Sequence, residues 1–158
     1  MMSERPDVGD PMPAVAMTGA DGAQLLPADL AGGKAVLFFY PKDDTPGCTT
    51  ENLDFTALAG EFAAAGTRLL GISKDPPARH AKFAAKHALT VPLASDPATD
   101  GLADALGIWV EKSMYGRTYM GMERTTYLLD AAGRIARVWR KVKVKGHAAE
   151  VLEAARAL

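Results

Sequence analysis

The sequence contains one cysteine, Cys48, whose thiol is its most versatile reactive group. A single thiol excludes an intramolecular disulfide and a zinc site built from several thiolates. Three roles remain: an inert buried side chain, an intermolecular bridge, or a reactive nucleophile. The surrounding residues have to decide among them, because thiol reactivity depends on nearby charge and on position in a helix.

Cys48 lies at a predicted turn from a strand to a helix. The apolar run at residues 35–40, stopped by Pro41, is typical of a strand buried on both faces in the middle of a sheet. After a polar turn at 42–47, apolar residues recur at helical spacing and predict a helix of about four turns that ends at Gly66. In its first turn, unpaired N–H groups and the helix dipole favour an anionic thiolate.

The residues around Cys48 form a dense motif. From 39 to 51 they run Phe-Tyr-Pro-Lys-Asp-Asp-Thr-Pro-Gly-Cys-Thr-Thr-Glu. This segment resembles the peroxiredoxins, specifically the bacterioferritin-comigratory or PrxQ subfamily. The general motif Pro-x-x-x-Thr-x-x-Cys is met by Pro41, Thr45 and Cys48. The subfamily form, Phe-Tyr-Pro-Lys-Asp-x-Thr-Pro-Gly-Cys-Thr-x-Glu, is met at every fixed position from 39 to 51.

A second segment carries the same resemblance. Residues 123–130, Glu-Arg-Thr-Thr-Tyr-Leu-Leu-Asp, resemble the family strand that contributes an active-site arginine, here Arg124. The likeness extends from about Gly9 to the C terminus. It implies a thiol-dependent peroxidase, with no metal and no cofactor, that reduces hydrogen peroxide and organic hydroperoxides. Cys48 would attack one peroxide oxygen, become a sulfenic acid and expel water or an alcohol.

The resemblance also implies roles for the neighbours of the thiol. A thiolate of lower basicity is a weaker nucleophile, so ionisation alone accelerates attack only a few-fold and preorganised donors have to orient the peroxide. The implied catalytic residues are Cys48, Thr45, Arg124 and Pro41. Thr45 and nearby N–H groups would hold the peroxide, Arg124 would face the thiolate, and Pro41 would shield the site from water. The implied supporting residues are Glu51, which orients Arg124, and Gly47.

Simpler roles remain open on the residues alone. Cys48 could be a small buried apolar side chain. Thr45 and the adjacent Pro46 could only form a turn, Arg124 could be a surface charge on a strand, and Glu51 could only interact with the helix dipole.

The chain departs from many relatives at Leu53, where they carry a resolving cysteine five residues after the first. We therefore expect a one-cysteine mechanism, in which thioredoxin, glutaredoxin or a low-molecular-weight thiol such as glutathione reduces oxidised Cys48. A thiol-disulfide oxidoreductase is disfavoured because the sequence has no Cys-x-x-Cys pair. The alternative function is a peroxide sensor that signals through oxidised Cys48 to a partner.

The remaining pattern predicts an α/β protein, with residues 1–158 in a single domain of thioredoxin-like (peroxiredoxin) fold. A central mixed sheet with helices on both faces follows an N-terminal hairpin at residues 11–26. The further predicted elements are a strand at 67–73, a helix opening at Pro76-Pro77, an extended piece at 91–94, a short helix at 97–106, an irregular segment at 107–121, strands at 125–130 and 135–144, and a helix at 147–158.

Composition limits the partners. Lys and Arg total 18 and Asp and Glu total 19, a net charge of −1, so neither nucleic acid nor an anionic membrane is an expected partner. No apolar run approaches the roughly 18 residues of a membrane span, and the first residues lack the apolar region of a signal peptide. We expect a cytoplasmic protein, because a reducing compartment keeps its thiol free. The resemblance favours a monomer.

Two further groups have simpler interpretations. Six basic residues at 134–145 alternate with apolar ones, as in an edge strand that lysines protect from pairing, although they could also recruit an acidic partner. The three histidines, His80, His87 and His147, lie singly in helical patterns without a carboxylate cluster in the sequence. We expect them to be solvated or part of the core rather than metal ligands.

Overall fold

The computed structural model of the chain describes residues 5–158; residues 1–4, which the single-domain prediction includes, lie outside them. The strands are β1 (Met17–Gly19), β2 (Gln24–Leu25), β3 (Lys34–Phe39), β4 (Thr67–Ser73), β5 (Leu93–Ser95), β6 (Trp109–Met114), β7 (Arg117–Met122), β8 (Thr125–Leu129) and β9 (Ile135–Trp139). The α-helices are α1 (Pro46–Ala57), α2 (Ala59–Ala64), α3 (Pro77–His87), α4 (Leu102–Leu106) and α5 (His147–Ala157).

Seven strands form one sheet in the order β2-β1-β5-β4-β3-β8-β9. Strands β3, β4 and β5 pair in parallel, whereas β8 and β9 at one side and β1 and β2 at the other pair antiparallel. The expected mixed sheet, the N-terminal hairpin and the central place of the apolar strand are therefore confirmed. Strand β9 is an edge strand, as expected, but it ends at Trp139, so Lys141, Lys143 and Lys145, which were expected to protect it from pairing, lie beyond it.

The central strand divides the core into two layers because successive side chains point to opposite faces. Val36, Phe38 and the following Tyr40 pack with residues of α1, α2, α3 and α5. Leu37 and Phe39 pack on the other face with residues of α4. Helices thus cover both faces, as expected. Cys48 belongs to the first layer, where its helix packs directly on the sheet.

Helix α1 is fixed by an aromatic contact and by its first residue. Phe55 of α1 stacks on Phe38 with ring centroids 4.3 Å apart, and burying a phenylalanine contributes about 1.5–3 kcal/mol. The helix begins at Pro46, earlier than the predicted turn at 42–47 allows, because proline suits a first helical position. The predicted continuous helix to Gly66 is divided at Leu58, which separates α1 from α2.

The segment predicted to be irregular, 107–121, is instead largely a two-stranded antiparallel sheet of β6 and β7, so that prediction is wrong. Tyr115 and Gly116 form its turn with φ of 52° and 76°, the positive values that tight hairpins require. The pattern hid the hairpin because neither strand buries a continuous apolar face.

Two predicted boundaries also change. Strand β9 ends at Trp139 instead of continuing to residue 144, and the N–H of Val142 then donates to the carbonyl of Arg124. Helix α4 begins at Leu102 rather than 97, because the carboxylate of Asp96 accepts the N–H groups of Leu102 and Ala103. A carboxylate at this place satisfies donors that the first turn leaves unpaired.

Candidate active site

The first turn of α1 presents backbone donors beside the thiol. Thr45 is the N-cap residue, but its hydroxyl donates to the carbonyl of Lys42 at 2.7 Å and does not cap the helix. Pro46 has no N–H, and the N–H of Thr49 donates to the carbonyl of Thr45. The N–H groups of Gly47 and Cys48 are therefore among the first-turn donors that no helical carbonyl can satisfy.

Arg124 connects the thiol to a buried carboxylate. Its Nη2 donates to Sγ of Cys48 at 3.4 Å, and its Nη1 donates to Oε1 of Glu51 at 2.6 Å. Cys48 and Glu51 are each only 1% exposed, and Arg124 lies in the short connection between β7 and β8. The structure thus brings these three predicted site residues together, although Arg124 is distant from the other two in sequence.

The other predicted residues surround this contact. A β-carbon at Gly47 would lie 3.3 Å from Nη2 of Arg124, so the absence of a side chain there leaves room for the guanidinium. Thr45 and Pro41 are half-buried in the connection between β3 and α1. Leu53 is 41% exposed on α1 and is not part of the buried layer that holds Cys48.

Burial and charge have opposite effects on the two partners of the ion pair. Burial raises the pKa of Glu51 to about 7, although the Arg124 guanidinium opposes that rise. For Arg124 burial acts to lower the pKa, but Glu51 and Cys48 outweigh it and raise that pKa above its ordinary value. Arg124 therefore stays charged beside the sulfur, where a positive charge stabilises a thiolate.

Comparison with known proteins identifies the family. A family model described as the AhpC/TSA family matches residues 8–138. The chain belongs to the AhpC/TSA family. Its relatives include the peroxiredoxin Bcp of Xanthomonas campestris, 50% identical over 80% of this chain and 79% of the relative, and that of Bacillus subtilis, 42% identical over 93% of each.

Solved structures of peroxiredoxins share the fold. A bacterioferritin comigratory protein of Xanthomonas campestris, studied for alkyl peroxide reduction in trapped complexes, has a TM-score of 0.88 and 43% identity and covers 96% of this chain and 98% of its own. A Xylella fastidiosa PrxQ mutant has a TM-score of 0.90 and 36% identity and covers 98% of each chain. The expected subfamily and thioredoxin-like fold are confirmed, and with them the class of activity, a thiol-dependent peroxidase.

A relative also shows where a second cysteine can lie in this family. The Xanthomonas campestris peroxiredoxin Q was solved as serine mutants of two different cysteines, so that protein has at least two. Those two cysteines are much farther apart in its chain than Cys48 and Leu53, which are five residues apart here. This peroxiredoxin has a single cysteine and therefore lacks a second thiol at either spacing.

An open pocket of about 500 Å³ borders Arg124. Its other walls come from β6, from Glu123 beside Arg124 and from the segment after β9: Val110, Glu111, Lys112, Glu123, Lys141 and Val142. The hairpin that the sequence did not predict therefore provides one wall beside the site. Its inner surface mixes apolar side chains with charges of both signs.

Sequence reasoning missed two sets of polar contacts in this peroxiredoxin. Asn52 donates from Nδ2 to the carbonyl of Cys48 at 2.9 Å, a contact that its spacing of four residues could have indicated. Asp43 lies within the motif, yet no role was predicted for it. It is fully buried beside Tyr40 and His80, a contact that could not be predicted because His80 lies on α3, distant from Asp43 in the chain.

The histidines occupy core or solvated positions. His147 is buried with Nε2 2.8 Å from Oγ1 of Thr126, and burial lowers its pKa to about 4. His87 contacts Asp44 at 2.9 Å near the surface. Within residues 5–158, histidine, cysteine and carboxylate side chains form no group of three or more that could hold a metal ion. No helix in this range is long and apolar enough to span a membrane.

Proposed function

We propose that Cys48 is the residue oxidised by peroxide in this thiol-dependent peroxidase, which reduces hydrogen peroxide and organic hydroperoxides. The observation that supports this most strongly is the position of Arg124, which donates at once to Sγ of Cys48 and to Glu51. A charged donor held rigidly at the sulfur favours the thiolate before reaction. It also stabilises the negative charge that moves to the leaving oxygen as the O–O bond breaks.

The first step transfers one oxygen atom. The Cys48 thiolate attacks the nearer peroxide oxygen, an S–O bond forms and the O–O bond breaks. The sulfur is oxidised to a sulfenic acid, and the departing oxide takes a proton and leaves as water or an alcohol. The step needs no cofactor, because the sulfur supplies both electrons.

The surrounding residues have roles that follow from their hydrogen bonds. The hydroxyl proton of Thr45 is engaged by the carbonyl of Lys42, so its oxygen can accept the O–H of the peroxide. The first-turn N–H groups of Gly47 and Cys48 can donate to the peroxide oxygens. Pro41 limits the access of water to the site, and Glu51 orients Arg124.

The second step requires a thiol from outside the chain. The thiolate of the reductant attacks the sulfenic sulfur, so that an S–S bond forms and the S–O bond breaks. The product is a mixed disulfide with Cys48, and the departing hydroxide takes a proton and leaves as water. A second thiol then reduces that disulfide and restores Cys48. The reductant is of the thioredoxin, glutaredoxin or glutathione type, since the chain contains no second cysteine and Leu53 stands at one usual place for it.

We propose that residues 1–158 form one domain that acts as a monomer in the cytoplasm, where a reducing environment keeps Cys48 free. Neither nucleic acid nor membrane is a partner, in line with the net charge of −1. A small uncharged substrate such as hydrogen peroxide needs no electrostatic steering.

A panel of reductants at fixed peroxide tests the function. We expect the wild-type protein to consume many equivalents of peroxide with at least one thiol of the panel, and Cys48→Ser to consume none above background. The sensor alternative, which the comparisons do not favour, predicts that consumption stops after one equivalent with every reductant. Turnover by the serine variant contradicts the assignment of Cys48.

A further inference from the structure

Asp43 lies in the connection that contains Thr45 and leads to Cys48, and each of its polar groups has a polar neighbour in the protein. Its Oδ1 accepts from the Tyr40 hydroxyl at 2.6 Å, and its Oδ2 lies 2.6 Å from Nδ1 of His80. Its N–H donates to Asp75 at 2.8 Å, and its carbonyl accepts from Arg79 at 3.3 Å. We call Tyr40, Asp43, Asp75, Arg79 and His80 the Asp43 cluster.

The distances around His80 require a proton between this side chain and Asp43. Nε2 of His80 lies 3.0 Å from the carbonyl of Ala94, which can only accept, so this nitrogen is a donor. The atom nearest to Nδ1 is a carboxylate oxygen of Asp43, and a bare lone pair at 2.6 Å would repel it. One proton therefore lies between the two side chains. The approach is short but bent, which makes it an ion-pair contact more than a straight hydrogen bond.

Burial makes this contact costly to maintain unless it is fully partnered. The side chains of Asp43 and His80 are both 0% exposed, and removing one member of a buried ion pair leaves the other without compensation. Burial, followed by the charge of Asp43, raises the pKa of Tyr40, so its hydroxyl remains a donor to the carboxylate. The cluster joins groups from the connection after β3, the connection after β4 and α3.

We propose that His80 and Asp43 are positioning residues of the peroxidase, which fix the connection before α1 so that Thr45 and the first-turn N–H groups orient the peroxide. The inference rests on the proposed function. Neither side chain contacts Sγ of Cys48, and Arg124 reaches the sulfur independently. The cluster therefore controls the geometry of peroxide binding and leaves the ionisation of the thiol to Arg124.

Two substitutions of His80 separate its hydrogen bond to Ala94 from its contact with Asp43. In His80→Gln the side-chain amide can replace Nε2 and keep the bond to Ala94, but it loses the contact with Asp43. In His80→Asn the amide can replace Nδ1 and keep the contact with Asp43. His87→Gln is the matched control, because His87 also lies on α3 and contacts the neighbouring Asp44, but near the surface.

The measurement is the ratio of two rates on each variant: oxidation of Cys48 by hydrogen peroxide and its alkylation by iodoacetamide. Alkylation needs an accessible thiolate but no oriented peroxide. We expect His80→Gln to lower the oxidation rate about 10- to 100-fold, the effect of a small misplacement of reacting groups, and to leave alkylation unchanged. His80→Asn recovers most of the oxidation rate, and His87→Gln matches the wild type in both.

The outcomes distinguish this inference from the proposed function. A wild-type protein that consumes no peroxide with any thiol contradicts the function itself. Three results with an active wild type would contradict the inference alone. The ratio could be unchanged in His80→Gln, His80→Asn could oxidise no faster than His80→Gln, or alkylation could become faster because the fold has loosened. If His80→Gln does not fold, Tyr40→Phe keeps the buried ring and removes one bond to Asp43. It is expected to lower the same ratio, and an unchanged ratio overturns the inference.

Discussion

Two ion pairs, Arg124–Glu51 and His80–Asp43, hold the start of α1 and the connection before it, and they differ in their other contacts. Arg124 and Glu51 approach to 2.6 Å, as do His80 and Asp43. The guanidinium is 17% exposed and also donates to the thiol, whereas the imidazole and its carboxylate are 0% exposed and contact no reacting atom. The first pair can act on the charge of the sulfur. The second can act only on the position of the backbone.

This difference separates two requirements of peroxide reduction. Charge beside the sulfur affects its reaction with any electrophile. Orientation of the O–O bond affects peroxide alone. Variants of the first pair should therefore change both oxidation and alkylation of Cys48, whereas variants of the second should change only oxidation.

The largest effect is expected for Arg124→Gln. It removes the charged donor at Sγ, so peroxide oxidation should fall about 10²- to 10³-fold, the usual consequence of losing one preorganised donor. Unlike His80→Gln, it should also slow alkylation by iodoacetamide. Stopped-flow or quenched mass measurements give both rates. Arg117→Gln, at an exposed position of β7, is the control and should leave both rates unchanged. A normal oxidation rate in Arg124→Gln would contradict the role of Arg124 at the sulfur.

A smaller effect is expected for Gly47→Ala. The new methyl group would lie 3.3 Å from Nη2 of Arg124, so the guanidinium has to shift away from the sulfur and oxidation should slow about tenfold. Gly60→Ala is the matched control, because a β-carbon there meets nothing within 4 Å. The control should keep full activity and gain about 0.5–1 kcal/mol in free energy of unfolding. Equal activity of the two alanine variants would show that the approach of Arg124 is not limiting.

The smallest effect on activity is expected for Glu51→Gln, which is best seen in stability against pH. Burial raises the pKa of Glu51 from 4.5 in the unfolded chain to about 7, so the folded state prefers the protonated carboxyl. This contribution is fully present below about pH 4.5 and is lost as pH rises through 7, by at most about 3 kcal/mol. Glutamine keeps a neutral group at all pH values. The wild type should therefore lose unfolding free energy relative to the variant between pH 5 and 8, and a constant difference contradicts the buried titration.

The sequence could predict the elements and residues whose signal is local. The apolar run of β3 indicates a central strand by itself, and the motif around Cys48 places the thiol at a helix start. The contact of Arg124 with Cys48 could be expected only through the family resemblance, because it joins distant parts of the chain.

The parts that could not be predicted depend on tertiary contacts. The hairpin of β6 and β7 has no continuous apolar face, so the alternation of apolar and polar residues that identifies a strand is missing from its sequence. His80 gave no sign of its role, because its partner Asp43 becomes its neighbour only when α3 packs on the sheet. The predicted extension of β9 beyond Trp139 is wrong because alternation continues in the sequence, while the backbone turns at Lys141 with φ of 50°.

The central claim is that Cys48 takes the oxygen atom and then requires a thiol from another molecule. Intact mass with peptide mapping tests it most directly, after one equivalent of peroxide and again after addition of a reductant. The account predicts one oxygen atom on Cys48 in the first sample, and a mixed disulfide at the same residue, followed by the free thiol, in the second. Oxygen found on methionine instead, or return of the free thiol without any added reductant, would contradict it.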